Sequence, residues 1–117
     1  MAHPEHEAAA APCAVIVTVD ASAGVMPDLE AHARYGLTRF PEFAGFVSGT
    51  LHLSADGTRL VQYLRWRTRN DYDACINDPV WDDLPSTRRF MQLVGEGSAR
   101  MEVRIYDVVA QAAPPSE

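Results

Sequence analysis

Lysine is absent from the sequence, and all ten basic side chains are arginines. A chain without lysine cannot form a Schiff base through a side-chain amine, which excludes one class of covalent catalyst. Sixteen acidic residues outnumber the ten bases and give a formal net charge of −6. Because no cluster of basic residues stands out against this charge, we expect neither nucleic acid nor an anionic membrane as a partner.

Cysteine is also scarce, since the 117 residues include only Cys13 and Cys75. The two lie far apart and form no CxxC pair, so we predict neither a disulfide framework nor a bound metal. No apolar run approaches the roughly 20 residues of a membrane span, and the acidic N-terminal stretch lacks the apolar segment of a signal peptide. Gly95 and Gly97 are too close together for a phosphate-binding loop and are typical of a helix end. We therefore expect a cytoplasmic protein.

The length of the chain favours one domain. The Ala-rich and Pro-containing stretch at 1–12 and the stretch at 110–117 are predicted to be tails, which leaves a folded domain over residues 13–109. A domain of this size buries only about two-thirds of the surface of its unfolded chain. A deep ligand pocket would use much of its core, so a second subunit is an expected source of support.

The stretch from Gly45 to Tyr72 carries the clearest structural signals. Residues 46–53 and 59–67 alternate in the manner of strands, and the turn Asp56-Gly57 separates them. A two-residue loop would pair His52 with Val61, whereas a three-residue loop with a glycine bulge would pair His52 with Leu60. The sequence Ala-Asp-Gly favours the bulged form, which would put His52 on the same face as Gln62.

The remaining elements complete a simple order. A strand is predicted over 13–20 and a helix that begins near Pro27 and ends at Pro41. After the hairpin, Thr68 begins a second helical region that Asp78-Pro79 divides, and a last strand follows over 98–109. The order β-α-β-β-α-β predicts an α+β, ferredoxin-like split β-α-β fold, with four antiparallel strands and helices on one face. Val61 and Tyr63 would occupy the other face, which invites a homodimer.

Polar side chains interrupt the predicted core face of the third strand. Gln62 lies between Leu60 and Leu64, Trp66 ends the row with an indole N–H, and Tyr72 follows one turn into the next helix. Buried amides, hydroxyls and indoles need partners. Polar groups that converge in an apolar wall are typical of a small-molecule site.

The segment PEFAGFVSGTLHLSADGTRLVQYLRW, followed by the helix with Tyr72 and an Asn-Asp-Pro stop, resembles the antibiotic biosynthesis monooxygenase family. The likeness is strongest to the small anthrone monooxygenases of aromatic polyketide pathways and covers roughly residues 13–108. It implies a dimeric α+β barrel. It also implies oxidation of an anthrone-like polyketide by O₂ to a quinone, with no cofactor.

The resemblance also implies roles for particular residues. Gln62 stands where the family has asparagine, and Gln62 and Tyr72 are expected to bind the substrate and stabilise its oxyanion. Trp66 is expected to supply a stacking wall for the substrate and an N–H donor. His52, or Tyr72 with a lowered pKa, is the expected proton acceptor. An arginine from the later helix is also expected in the pocket, at Arg88 or Arg89. Apart from the resemblance, Leu64 is expected in the pocket wall, and Trp81 is expected either as a lid over the pocket or as an apolar anchor for an irregular segment.

Two alternatives concern the function, and a third concerns the role of one histidine. A polyketide cyclase or a non-oxidative ligand-binding dimer of the same fold would use the same pocket without O₂. A haem-degrading oxygenase would need an axial histidine, and residues 69–77 contain none. His32, on the apolar side of the first helix, is interpreted as a half-buried structural histidine.

Overall fold

Four strands form one antiparallel sheet in the computed structural model, which describes residues 11–115. The strand order is β2-β3-β1-β4, so the first strand lies inside the sheet and the last lies at an edge. The strands are β1 (Cys13–Ala21), β2 (Phe46–Leu53), β3 (Arg59–Trp66) and β4 (Ala99–Asp107). The predicted tail at 1–12 lies outside the described residues except for Ala11 and Pro12, as do the last two residues of the tail predicted at 110–117.

The helices follow the expected order, and the second helical region is divided as predicted. They are α1 (Met26–Arg39), a 3₁₀ turn (Phe40–Glu42), α2 (Arg69–Ile76), α3 (Pro79–Asp82) and α4 (Pro85–Gly95). Thr68 begins α2 as a side-chain cap, because its hydroxyl accepts a hydrogen bond from the Asp71 backbone N–H at 3.1 Å. Asp78 caps α3 in the same way through Val80 N–H at 2.8 Å. The ferredoxin-like fold class is therefore confirmed.

The two faces of the sheet differ in burial. On the helix side Val15 faces Leu64 and Val19 faces Leu60 across β1 and β3, and all four side chains are buried. Burying an aliphatic side chain of this size stabilises the fold by about 1.5–3 kcal/mol. On the other side Ile16 pairs with Tyr63 and remains half-buried. The helices thus cover one face and leave the other uncovered.

The helix side contains two apolar clusters rather than one continuous core. The first surrounds Trp66, Phe40 and Tyr72, and the second surrounds Leu29 and Leu93. Val17, at the centre of β1, packs against both clusters. The Cα of Val17 is paired with Gln62 on β3. The polar residue of the third strand therefore lies at the boundary between the two clusters.

The hairpin register contradicts the favoured prediction. His52 pairs with Val61 and Leu53 pairs with Leu60, and Ser54 N–H closes the hairpin on Arg59 C=O at 2.8 Å. A four-residue loop over 55–58 produces this register in place of the bulged three-residue loop. Asp56 holds the loop, because its carboxylate accepts hydrogen bonds from the Ser54 hydroxyl (2.7 Å) and from Thr58. These bonds lower the pKa of Asp56 to about 2.

A β-bulge at the start of β2 changes the predicted face of one residue. Phe46 pairs with Trp66, but Ser48 pairs with Arg65, so Val47 is the extra residue. The bulge puts Phe46 on the helix side with Leu51, although strict alternation would separate them. Phe46 packs against the Trp66 ring at a centroid distance of 5.2 Å. The bulge therefore supplies an aromatic wall to the first cluster.

Candidate active site

A cavity of about 360 Å³ lies between the sheet and the helices, where the two apolar clusters meet. Its volume lies within the range of roughly 300–1,000 Å³ that is usual for small-molecule sites. Most of its lining is apolar, and six lining residues carry polar groups. The polar lining residues are His32, Gln62, Tyr72, Asp82, Ser86 and Thr87.

Two predicted site residues reach the cavity from β3. Gln62 and Leu64 alternate on the helix side of this strand, and both line the cavity. The leucine is 1% exposed, whereas the amide is only partly buried. An amide presents two N–H donors and one carbonyl acceptor. The strand therefore gives the cavity one apolar wall residue and one hydrogen-bonding group.

Tyr72 reaches the cavity from the first turn of α2. It is 6% exposed, and its ring packs against Trp66 at a centroid distance of 5.9 Å. Burial, assisted by the nearby Asp73 carboxylate, raises the pKa of Tyr72. The expectation of a lowered pKa is therefore wrong, because an apolar site disfavours the phenolate. Tyr72 therefore lines the cavity as a protonated phenol, a group that can donate a hydrogen bond.

Trp66 does not line the cavity. Its side chain is 1% exposed and is packed among the rings of Phe40, Phe46 and Tyr72. The indole N–H has no hydrogen-bond partner among residues 11–115. The prediction that Trp66 forms a substrate-stacking wall is not realised in this cavity, because the Phe46 bulge and the 3₁₀ turn cover the end of β3. Trp66 instead supports Tyr72 from behind.

His52 faces away from the cavity. The hairpin register puts it beside Val61 on the uncovered face of the sheet, where its side chain is exposed. The ring Nε2 lies 2.9 Å from the Thr50 hydroxyl. The preferred position of His52 on the Gln62 face is thus wrong, and the physical reason is the four-residue loop.

The two candidate arginines of α4 are both paired with carboxylates. Arg88 is exposed and donates to Asp83 at 2.6 Å, so its charge points away from the cavity. Arg89 donates to Asp28 at 3.0 Å and to Gln92 at 3.3 Å. Neither guanidinium lines the cavity, which contradicts the expected direct contact with substrate. Arg89 is nevertheless linked to the cavity through Asp28.

Trp81 lines the cavity from α3. Its ring stacks on Phe40 at a centroid distance of 4.3 Å and meets Phe43 edge-on at 6.0 Å. The close approach to α1 requires a glycine, since a Cβ at Gly36 would lie 3.2 Å from the Trp81 ring. Both Gly36 and Trp81 line the cavity. The backbone of α1 at Gly36 and the indole ring of Trp81 thus form one end of the cavity.

His32 is a candidate functional residue, although the sequence predicts only a structural role for it. It lines the cavity, and its Nε2 lies 3.0 Å from Asp28 Oδ1. The other carboxylate oxygen of Asp28 accepts the bond from Arg89. A carboxylate that holds the Nε2 proton leaves Nδ1 unprotonated and able to accept a proton. The i, i+4 spacing of Asp28 and His32 was a readable signal for this pair.

Asp82, Ser86 and Thr87 are further cavity residues that the sequence did not single out. Ser86 is 7% exposed, which is unusual for serine. Among residues 11–115 no group of three His, Cys, Asp or Glu side chains is arranged to hold a metal ion. In the same part of the chain, every helix is too short or too polar to cross a membrane.

Comparison with known proteins links the chain to polyketide oxygenases in sequence. No protein-family model matches it. It is 39% identical over 61 residues to the tetracenomycin-F1 monooxygenase of Streptomyces glaucescens, and the match covers 48% of this chain and 54% of that protein. The chain thus spans about half the length of the curated relative that it matches.

Solved structures share the whole fold. Rv0793 from Mycobacterium tuberculosis has a TM-score of 0.68 at 25% identity, covering 87% of this chain and 99% of that one. SnoaB, a cofactor-independent oxygenase from Streptomyces nogalater, has a TM-score of 0.68 at 15% identity, covering 92% and 100%. At this identity the likeness to SnoaB concerns the fold. The chain therefore shares its fold with these solved structures, and over about half its length it is similar in sequence to one monooxygenase.

Proposed function

We propose that this chain is a monooxygenase that oxidises an anthrone-like aromatic polyketide to a quinone with O₂ and without a cofactor. The observation that carries the proposal is the half-open apolar cavity that is lined by an amide, a protonated phenol and a carboxylate-held histidine. Aromatic side chains at its Phe40 and Trp81 end suit a planar ligand. The sequence match to a polyketide monooxygenase supports the same class of substrate.

The first step is removal of a proton from the substrate. The methylene of an anthrone is acidified by its two flanking rings and by the carbonyl opposite, so its anion is an enolate. His32 Nδ1 accepts this proton, while Asp28 stabilises the imidazolium through Nε2–H. Arg89 fixes the carboxylate from the other side. The phenol of Tyr72 and the amide of Gln62 donate to the enolate oxygen, which is stabilisation of developing charge.

The remaining steps use the electrons of the anion itself. The enolate transfers one electron to O₂, and the resulting radical pair combines to form a carbon–oxygen bond. The peroxide takes up a proton, and the hydroperoxide then loses water to give the second carbonyl of the quinone. One oxygen atom enters the product and the other leaves as water, so no external reductant is consumed.

Oxygen uptake with anthrone substrates tests the proposal. Purified protein is mixed with dithranol or emodin anthrone in an oxygen electrode, and quinone formation is followed in parallel. We expect uptake above the spontaneous rate and a fall of about a hundredfold or more in kcat for His32→Gln, because a positioned base contributes about 10²–10⁴-fold. Gln62→Met, which keeps the volume and removes the amide, should also lower kcat.

His52→Gln is the matched control, since this histidine lies on the other face of the sheet. It should retain the uptake of the wild type. Wild-type protein that is folded yet adds nothing to the spontaneous rate with several anthrones would contradict the monooxygenase. Formation of a cyclised product without O₂ consumption would instead identify a cyclase with the same cavity.

A homodimer through the uncovered face of the sheet is the second part of the proposal. Ile16, Tyr63 and Val61 form an apolar strip on this face, and arginines and acids surround it. Pairing the strips of two chains removes the apolar surface from water and gives a two-sheet barrel. The cavity opens on the opposite side of the sheet, so dimer formation leaves it accessible.

A further inference from the structure

Two hydroxyl groups of the cavity have no hydrogen-bond partner. Ser86 Oγ and Thr87 Oγ1 are buried, and neither finds an acceptor or donor among residues 11–115. Both residues line the cavity through other atoms, since the two oxygens themselves have almost no accessible surface, and Ser86 as a whole is 7% exposed. Rotation about χ1 to another staggered position would bring each hydroxyl to the lining. A buried polar group without a partner costs free energy, so such a group in a ligand cavity indicates where a ligand supplies the bond.

The way in which α4 begins explains why these two hydroxyls do not form capping hydrogen bonds. Leu84 precedes the helix and makes no side-chain cap, and Pro85 occupies its first position. Ser86 and Thr87 therefore lie inside the first turn and do not cap it. The helix of 11 residues also leaves the N–H groups of this turn without intrahelical acceptors, and its dipole is positive here. The side chains and backbone of this turn together favour an oxygen atom.

The charged residues that line the cavity indicate which kind of ligand oxygen it favours. Asp82 lines the same cavity three residues before Pro85, and neither arginine of α4 reaches the lining. A ligand carboxylate near Asp82 would meet a like charge, and no arginine lies in the lining to offset it. A hydroxyl side chain can both donate and accept, so it binds a phenol or a ketone equally. Neutral oxygens are therefore favoured over carboxylates.

We propose that Ser86 and Thr87 form a subsite for phenolic or carbonyl oxygens on the edge of a planar aromatic ligand. The aromatic class of the ligand rests on the proposed function, but the subsite requires no oxidation step. In a substrate that carries peri-oxygens, these two residues fix one edge of the ring system. The edge contact determines which carbon of the ligand lies opposite His32.

Binding of non-reactive quinones tests the subsite apart from catalysis. The probes are 1,8-dihydroxyanthraquinone and unsubstituted anthraquinone, and binding is measured by quenching of tryptophan fluorescence, since Trp81 lines the cavity. We expect the dihydroxy compound to bind wild type about three- to tenfold more tightly, as one hydrogen bond allows. Ser86→Ala and Thr87→Val should each reduce this preference, and the double variant should abolish it.

Ser48→Ala is the matched control, because Ser48 is exposed on β2 and pairs with Arg65 rather than with a cavity residue. It should keep the full preference. Unchanged preference in the folded double variant, verified by near-UV circular dichroism, would overturn the subsite alone. Failure of wild type to bind any anthraquinone would overturn both the aromatic ligand and the subsite. A preference that disappears in the variants, without any oxygen uptake, would support the subsite and overturn the monooxygenase.

Discussion

At the scale of single residues, the two cysteines show how burial sets chemistry. Cys13 is fully buried and Cys75 is 1% exposed, and both belong to the cluster around Trp66. Burial raises the pKa of both thiols, that of Cys75 to about 12. Each thiol is therefore protonated over the physiological range and behaves as a small apolar side chain.

This burial predicts a loss of stability in alkali. An unfolded thiol releases its proton near pH 9, whereas Cys75 in the folded chain keeps its proton to about pH 12. The unfolded state therefore binds fewer protons in this window, and the free energy of unfolding falls as pH rises from about 9 towards 12. Cys75→Ala should be less stable than wild type at pH 7, and the difference should shrink with rising pH.

Urea unfolding at pH 7, 9 and 10.5 measures this difference. Ala74→Ser, an exposed change on the same helix, should follow the wild type at every pH. If the difference in unfolding free energy between wild type and Cys75→Ala stayed constant across the pH series, it would contradict a raised pKa for the Cys75 thiol. Tyr72 and Cys13 titrate in the same direction in both proteins, so only the difference is diagnostic.

Local sequence signals predict some of the residues that line the cavity and not others, and the reason is physical. Gln62 was recognisable because an amide between two leucines breaks an apolar strand face. The predicted sheet face of His52 is wrong because it depends on the length of the hairpin loop. A loop that is one residue longer or shorter shifts the register by one position, which moves every side chain of the strand to the other face. His32 is recognisable as part of a pair with Asp28, but no local rule tells which histidine faces a cavity that four helices line.

At the scale of elements, the contact between α1 and α3 controls the width of the cavity. Gly36 interrupts an otherwise ordinary helix, and its missing side chain admits the Trp81 ring. In a helix interior, glycine costs about 0.5–1 kcal/mol relative to alanine. Glycine therefore occurs here against the local preference of a helix, at a point where the close approach of Trp81 needs space.

Gly36→Ala should narrow the cavity without unfolding the chain. A Cβ at this position would lie 3.2 Å from the indole, so the ring must shift by a few tenths of an ångström from its stack on Phe40. We expect the affinity for a dihydroxyanthraquinone to fall several-fold, while the gain in helix propensity offsets part of the strain. Fluorescence titration and thermal unfolding measure the two effects.

Gly95→Ala is the control for this change. It also lies in a helix, but a Cβ at Gly95 has no atom within 4 Å. It should leave ligand affinity unchanged and should not lower stability. Equal affinities for the two alanine variants would remove Gly36 from the specificity of the cavity.

Most elements followed directly from local signals. Pro27, Thr68 and the Asp78-Pro79 step mark the helix starts, and alternation marks the strands. The bulge at Val47 was not predictable in this way, because a bulge is fixed by the packing of Phe46 against Trp66 rather than by turn residues. The loop at 55–58 depends on side-chain bonds of Asp56 that several loop lengths permit.

At the scale of the whole molecule, the uncovered sheet face predicts association. Ile16 lies in the middle of this face, between Tyr63 on β3 and Arg104 on β4. Ile16→Glu puts a carboxylate into the proposed interface, where burial without a partner is costly. We expect a dimer for wild type and a monomer for the variant in analytical ultracentrifugation.

Ala31→Glu, an exposed change on α1, should leave the dimer intact. A monomeric wild type at micromolar concentration would contradict the proposed homodimer. The variant monomer should still bind anthraquinones, because the lining of the cavity comes from the helix side of a single chain.

The sheet separates the cavity from the face proposed to pair. In a dimer built on that face, each cavity would lie on the outer side of its own sheet, and two layers of strands would stand between them. The cavity lining does not include Ile16, Val61 or Tyr63, so a ligand in one cavity would not touch the strip proposed to contact the second chain. The two sites of such a dimer would therefore fill independently, and ligand binding would show no cooperativity.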